Sequence, residues 1–233
     1  MSGRADLALA RLLQLASPAL PVGAYSYSQG LESAVEEGLV GDAAGAALWI
    51  GDALSMVVAR FEAPLWCRMH AAWQAGDYAG LQSLDGWFRA TRETAELRAE
   101  TLQMGYSLRR LFAELGAGPG GFDPQSLAAL ERCGEISFPA AYTFATAQWA
   151  IPARDALVAY LWSWLENQVM AALKSVPLGQ TDGQRMLLEL GGRLGAIADR
   201  ALAADEGAYA NFAPGLAIAS SRHESQYSRL FRS

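Results

Sequence analysis

Apolar residues recur at intervals of three and four along most of the chain, which is the spacing of one face of an α-helix. The clearest stripe runs from Leu157 to Leu173. Asp155 is predicted to cap this helix or to lie in its first turn, and Pro177 is predicted to end it. A similar stripe between Leu97 and Leu115 predicts a second long helix.

A third stripe, residues 187–202, contains several glycines, which weaken a helix but allow another helix to approach closely. We therefore expect a tight helix crossing there. Two pairs four residues apart, Arg89/Glu93 and Arg92/Glu96, are predicted as ion pairs on a solvated face. Further helices are predicted to begin at Asp42, Pro64, Asp77 and Asp123–Pro124.

Alternating strand-type patterns are almost missing from the sequence, so the predicted class is all-α. The glycine-rich stretch Gly116–Gly121 is a candidate boundary, but the two halves have the same composition and no fixed repeat is visible. The sequence predicts one all-α domain spanning residues 1–233, a compact bundle of about eight to ten helices.

Composition excludes several classes of protein. Hydrophobic residues make up 52% of the chain, and 18 Lys and Arg face 24 Asp and Glu, a net charge of −6. No global basic field for nucleic acid is present. Two cysteines cannot form a disulfide framework, which favours a reducing compartment. We expect a cytoplasmic protein without a signal peptide, and without a membrane span because the uncharged stretch 136–153 contains prolines and polar residues.

Signatures of nucleotide binding and catalysis are missing or out of context. Lys174 is the sole lysine, and the residues before it lack the glycines of a phosphate-binding loop. The pattern G-x-G-x-x-G occurs at Gly116, Gly118 and Gly121, but it follows a predicted helix rather than a strand. We predict no catalytic residues and no cofactor.

Cys67 and His70 are spaced to share one helix face, a geometry that could hold a soft or borderline metal ion. Two ligands are too few for a tight site. A buried cysteine beside a partly exposed histidine is the structural alternative.

Three segments are unusual enough to be candidate binding sites. The segment 17–32 concentrates tyrosine, serine and glutamine, which suits either a partner or capping and core packing. The segment 219–233 interleaves arginines with apolar anchors, which is typical of protein interfaces and favours docking to a partner. The alternatives are that it packs on its own domain or has no binding role. The segment 173–185 holds Lys174 in a predicted loop between two helices.

These segments carry a family resemblance. They read LLQLASPALPVGAYSYSQGLE, ALKSVPLGQTDGQ and SSRHESQYSRLFRS, and together they closely resemble the urease accessory protein F family, UreF. The resemblance extends from Leu12 to Ser233, while residues 77–135 match by position alone.

The resemblance implies an all-α homodimer that is not itself an enzyme and works in assembly of the nickel centre of urease. Family members bind the accessory protein D or H, and the pair recruits the nickel-carrying GTPase G. The C-terminal tail, 219–233, is then expected to become ordered on the D/H protein, and the contact is expected to be formed by Arg222, His223, Tyr227, Arg229, Leu230 and Phe231. The surface that meets the GTPase is expected to include Tyr25, Lys174, Gln180, Gln184 and Arg232.

Three mechanisms remain open at this stage. The chain is a scaffold that positions the GTPase and apo-urease, or an activator that supplies an arginine to the GTPase, or a direct nickel carrier through Cys67 and His70. We favour the scaffold, because recognition segments are visible and a catalytic arginine is not identifiable.

Overall fold

The computed structural model describes residues 2–118 and 120–233, and all regular structure within these ranges is helical. Ten of the helices have nine residues or more when 43–75 is counted as one, which confirms the predicted all-α bundle. The helices are α1 Ser2–Ala16, α2 Leu31–Glu36, α3 Ala43–Ala53, α4 Ala63–Ala75, α5 Tyr78–Ala90, α6 Ala95–Leu115, α7 Pro124–Arg132, α8 Phe138–Gln148, α9 Ala153–Ser175, α10 Gln180–Gly191, α11 Leu194–Leu202 and α12 Pro214–His223.

Three of the predicted helix starts are confirmed by side-chain caps. The carboxylates of Asp42, Asp77 and Asp123 each accept a hydrogen bond from the backbone N–H three residues later. Such a bond satisfies one of the donors that an N-terminus leaves free, so a short polar side chain fixes where each helix begins.

Pro64 lies in the first turn of α4, as predicted, but α4 does not begin a separate helix, because a π-helical segment, Leu54–Glu62, joins it to α3. Proline has no N–H, so Pro64 cannot donate to the carbonyl of Arg60 as a helix requires. The backbone N–H of Ala210 donates to that carbonyl instead, at 3.1 Å. A distant segment therefore satisfies the group that the proline leaves free.

The continuous helix 43–75 is long and apolar enough, by length and composition, to cross a membrane. Of its most apolar 18-residue window, 44% is buried inside the fold, against neighbouring helices. A core helix that packs in this way passes the same test, so the finding is weak support for a membrane span.

Helix α9 is the centre of the bundle and packs against α1, α2, α4, α10 and α11. Its predicted apolar stripe is confirmed: Leu157, Leu161, Leu165 and Val169 are buried. Asp155 lies in the first turn, and the helix ends at Ser175, just before Pro177. Lys174 lies in the last turn of α9 and not in a loop, because the helix extends two residues past Leu173, the last residue of the predicted stripe.

The glycine-bearing stripe 187–202 divides into α10 and α11 at Gly192–Arg193. The expected close crossing is present, because a Cβ atom built on Gly191 would lie 3.2 Å from the ring of Trp162 on α9. A larger side chain at position 191 would therefore force the helices apart.

The two predicted solvated ion pairs are wrong, since the chain turns between α5 and α6 and takes their members to different partners. Arg92 pairs with Glu62 at 3.4 Å with both side chains at most 10% exposed. Arg89 pairs with Asp85 and Glu135, and Glu96 faces His223 and Arg229. An i, i+4 spacing predicts contact only where one helix carries both residues.

Candidate functional site

The C-terminal residues pack on the loop that leads into α2. Helix α12 lies against α2, and Gly30 at φ +83° allows this contact, because a Cβ there would lie 2.9 Å from the backbone nitrogen of Ser220. Beyond α12 the chain returns to the loop, where the N–H of Arg232 donates to the carbonyl of Ser26 at 2.7 Å. We call residues 224–233 the C-terminal segment.

One buried carboxylate on α2 holds much of this segment. Glu32 is 7% exposed and accepts hydrogen bonds from the backbone N–H groups of Leu230 and Phe231, at 2.7 and 3.0 Å. It also faces Nε2 of His223 at 3.1 Å. Because bonds to an ionised acceptor are stronger than neutral ones, Glu32 is the main polar anchor of the segment.

His223 is fully buried between two carboxylates. Its Nδ1 lies 2.7 Å from Glu96 and its Nε2 lies 3.1 Å from Glu32. Each ring nitrogen of His223 therefore has a carboxyl partner, one on α6 and one on α2. Glu96 also pairs with Arg229, so one carboxyl of α6 contacts two side chains of the C-terminus.

The segment also caps α6. The carboxylate of Glu224 accepts hydrogen bonds from the N–H groups of Ala95 and Glu96, at 2.8 and 3.3 Å. A negative charge at the N-terminus of a helix is favoured by the helix dipole. The C-terminal segment is therefore ordered on its own domain, by backbone, cap and ion-pair contacts together.

The residues predicted to bind the D/H protein divide into an inward and an outward set. His223 and Phe231 are buried in the chain's own fold, at 0% and 5% exposure. The outward set, which we call the tail face, presents side chains to solvent and consists of Arg222, Tyr227, Arg229 and Leu230. Tyr227 is fully exposed and Leu230 is 72% exposed.

Three of the residues predicted to meet the GTPase lie together beside the C-terminal segment. The ammonium group of Lys174 lies 5.8 Å from the ring centroid of Tyr25 and 5.5 Å from that of Phe231. Arg232 is exposed, and its guanidinium lies close enough to the phenol of Tyr27 to lower the pKa of that phenol. We call Tyr25, Lys174 and Arg232 the lysine face.

Gln180 and Gln184 are exposed in the first two turns of α10, four residues apart on one side of the helix. Only the short connection 176–179 separates them from the end of α9, which carries Lys174. No contact joins them to the lysine face among the described interactions.

A cavity of about 170 Å³ opens beneath the lysine face, and the sequence analysis missed the polar groups inside it. Apolar side chains of α1, α6, α8 and α9 form its walls, and Glu62, Arg92 and Glu100 contribute charge. Gln29 joins this interior to the loop, since it donates to Glu100 at 2.7 Å and accepts from the indole N–H of Trp164 at 2.9 Å. These residues come from five separate parts of the chain, so no local spacing could reveal them.

Cys67 and His70 lie on α4 beside another surface pocket, but neither is prepared to hold a metal ion. Burial raises the pKa of the Cys67 thiol to about 12 and lowers that of His70 to about 4. The exposures reverse the expected ones, because His70 is buried in a stack on Trp66 and Cys67 is partly exposed. No group of three or more potential ligands occurs in residues 2–118 and 120–233.

The glycine pattern after α6 forms a tight loop and no phosphate cradle. The N–H of Gly121 donates to the carbonyl of Gly118, and a Cβ on Gly121 would lie 2.3 Å from the carbonyl oxygen of Gly116. The loop is folded onto its own backbone, with Pro119 outside the described residues. This agrees with the prediction of a plain loop.

The fold and these surfaces define a class: an all-helical protein whose described chemistry is suited to docking other proteins. Comparison with known proteins narrows it, because the UreF family model matches residues 40–191. The chain belongs to the UreF family of urease accessory proteins.

Curated relatives cover nearly the whole chain. It is 60% identical over 227 residues to the urease accessory protein UreF of Azoarcus sp. (strain BH72). The aligned region covers 97% of this chain and 96% of that protein. The UreF of Dechloromonas aromatica (strain RCB) is 52% identical over 231 residues, with 97% and 98% covered. A bifunctional urease accessory protein UreEF of Bordetella bronchiseptica is 52% identical over 228 residues, 97% of this chain and 52% of that protein.

Proposed function

We propose that this chain is a non-catalytic scaffold of urease maturation. Together with the accessory D/H protein and the nickel-carrying GTPase G, it promotes GTP-dependent insertion of nickel into apo-urease. Nickel is the cargo of this assembly, and the chain supplies docking surfaces instead of metal ligands.

The observation that carries the proposal is the arrangement of the C-terminus. Its inward side chains, His223 and Phe231, fix the segment on α2 and α6, so that the tail face is held ready for a partner. Exposed tyrosine, arginine and leucine in one patch have the composition of interface anchors. A preordered segment also loses less entropy on docking than a disordered one. We assign the D/H protein to this face.

The lysine face is assigned to the GTPase. The lysine face lies directly beside the C-terminal segment. A partner that orders or covers this segment would therefore also contact the lysine face or change its conformation. This adjacency supports recruitment of the GTPase by the complex of this chain with the D/H protein. Gln180 and Gln184, at the start of α10, are assigned to the same partner. The relative that joins UreE and UreF in one named polypeptide supports action beside other accessory proteins.

Homodimerisation is a further part of the proposal. The outer side of α9 leaves Trp162 and Met170 exposed, and α1 beside it exposes Leu9 and Leu13. Exposed large apolar side chains on adjacent helices are a common basis of subunit interfaces. We expect a cytoplasmic protein, consistent with its two free cysteines, and no interaction with nucleic acid or membrane.

The alternative of a GTPase activator has one residue in its favour, because Arg232 is exposed beside Lys174. A transition-state arginine raises hydrolysis by roughly 10³-fold or more. Arg232→Ala in an activator would abolish stimulation of GTP hydrolysis and leave binding intact. In a scaffold, binding and stimulation decline together.

Reconstitution tests the proposed function. Apo-urease, the D/H protein, the GTPase, Ni²⁺ and GTP are mixed with and without this chain, and urease activity is measured. We expect activation that needs both the chain and hydrolysable GTP. Equal activation without the chain would overturn the proposal.

A further inference from the structure

A single buried carboxyl joins the C-terminal segment to the loop before α2. Glu100 on α6 is 7% exposed; one oxygen accepts from Nε2 of Gln29 at 2.7 Å, and the other from Oγ of Ser233 at 2.9 Å. Ser233 closes the same junction, because its carbonyl accepts from the N–H groups of Ser28 and Gln29. The docked segment therefore covers Glu100.

Glu100 belongs to a buried cluster in which two carboxyl groups share one positive side chain. Glu62 and Arg92 share the interior with it, and Arg92 pairs with Glu62. The hydroxyl of Tyr160 also donates to Glu62. Two ionised carboxyls and one guanidinium give this buried cluster a net charge of −1, whereas one proton makes it neutral, and burying a net charge is costly.

The loop side of the junction is under backbone strain. Gln29 has φ +54°, in the left-handed region that residues other than glycine rarely adopt. Its bonds to Glu100, to Trp164 and to the carbonyl of Ser233 hold it there. A change in the charge of Glu100 therefore acts on Gln29, which lies in the loop and also contacts the C-terminal segment.

We propose that protonation of Glu100 holds the C-terminal segment in its docked position and that loss of this proton loosens the segment. A protonated carboxyl keeps both contacts, because its carbonyl oxygen accepts from Gln29 and its hydroxyl can donate to Oγ of Ser233.

The direction of the effect follows from burial. The pKa of Glu100 is raised to about 7: desolvation by burial is the largest cause and the charge of Glu62 adds to it, while the hydrogen bonds from Gln29 and Ser233 and the charge of Arg92 act in the opposite direction. The phenol of Tyr27, whose own pKa is raised by burial and by Glu100, also faces the carboxyl. Docking favours the protonated form, so it is strongest below pH 7 and weakens as pH rises through 7.

The size of the effect follows from linkage. If the uncovered carboxyl returns to its ordinary pKa of 4.5, the docking constant falls roughly tenfold between pH 6 and pH 8.5. The contacts of Glu32 and the buried ring of Phe231 remain in place. The segment should therefore open more often at alkaline pH without unfolding the domain.

Hydrogen exchange on the full chain tests the proposal. Protection factors of the amides of residues 230–232, corrected for the intrinsic exchange rate at each pH, are measured at pH 6 and pH 8.5. In the wild type we expect a three- to tenfold fall. In Glu100→Gln, which has nearly the same shape and no charge, we expect no fall.

Glu114→Gln is the matched control, because Glu114 is exposed on the same helix and pairs with Arg110. This variant should respond to pH as the wild type does. A pH-independent wild type would overturn the proposal even if Glu100→Gln fails to fold. A response retained in folded Glu100→Gln would also overturn it, since the pH-sensitive group would then be a different one.

Discussion

The ammonium group of Lys174 lies 5.5 Å from the ring centroid of Phe231. The first residue belongs to the surface proposed for the GTPase, and the second anchors the segment proposed for the D/H protein. The contact brings the end of the central helix to residues that are more than fifty positions away in sequence. It makes the lysine face and the tail face neighbouring parts of one surface.

Lys174→Ala should separate the two docking steps. We expect at least a tenfold loss of affinity for the GTPase, because an exposed cation and its contacts with two rings are removed, and unchanged binding to the D/H protein. Titration of each partner by calorimetry measures both. Lys174→Arg, which keeps the charge, should retain more affinity, and an equal loss for both partners would show that the faces are not separable.

Glu32→Gln should weaken the fold at the C-terminus. The substitution leaves two backbone donors with a weaker acceptor and the buried His223 with one carboxylate instead of two, which costs about 2–4 kcal/mol of unfolding free energy. Urea denaturation at pH 7 gives this value. The control is Glu36→Gln, an exposed residue of the same helix, for which we expect a change of less than about 0.5 kcal/mol.

His70 should make the protein less stable in acid. Burial lowers its pKa to about 4, below the ordinary 6.5, so the folded state excludes a proton that the unfolded state binds. Stability is complete above pH 6.5 and is lost as pH falls towards 4, by about 2 kcal/mol between pH 7 and 5.

Urea denaturation of the wild type and of His70→Phe at both pH values checks this. The variant keeps an aromatic ring against Trp66 but cannot titrate, so it should lack this part of the pH dependence. The opposite contribution of Glu100 is present in both proteins and cancels in the comparison. The same pH dependence in both would contradict the assignment.

Nickel should not bind to the isolated chain through Cys67 and His70. A thiol with its pKa near 12 resists ionisation, and a buried imidazole stacked on Trp66 offers a poor second ligand. Equilibrium dialysis with Ni²⁺ should give no stoichiometric micromolar binding. Binding that disappears in Cys67→Ala would instead support the nickel-carrier mechanism.

Local signals in the sequence predicted much of the fold. The stripe of α9, the caps at Asp42, Asp77 and Asp123 and the stop before Pro177 depend on residues within a turn or two of each other. The continuation of the helix through Pro64 was not predicted, and the carbonyl that this proline leaves free accepts from a distant residue, through the N–H of Ala210. Periodicity cannot register such a long-range hydrogen bond.

The docking role of the C-terminus stays a prediction, and the interior contacts of this region could not be predicted from the sequence. The composition of 219–233 indicated a docking segment, but the burial of His223 depends on Glu32 and Glu96, which lie more than 120 residues earlier. Glu100 resembled any other acid on an amphipathic helix. Its role becomes visible only when four elements meet around it.

Light scattering after gel filtration tests the central claim most directly. The full chain and the double variant Tyr227→Ala/Leu230→Ala are each mixed with the D/H protein, with Phe212→Ala, an exposed aromatic outside both faces, as the control. Because both altered side chains are exposed, the variant should fold normally. The account predicts a complex with the wild type and the control, and none with the double variant. An intact complex with the double variant would contradict it.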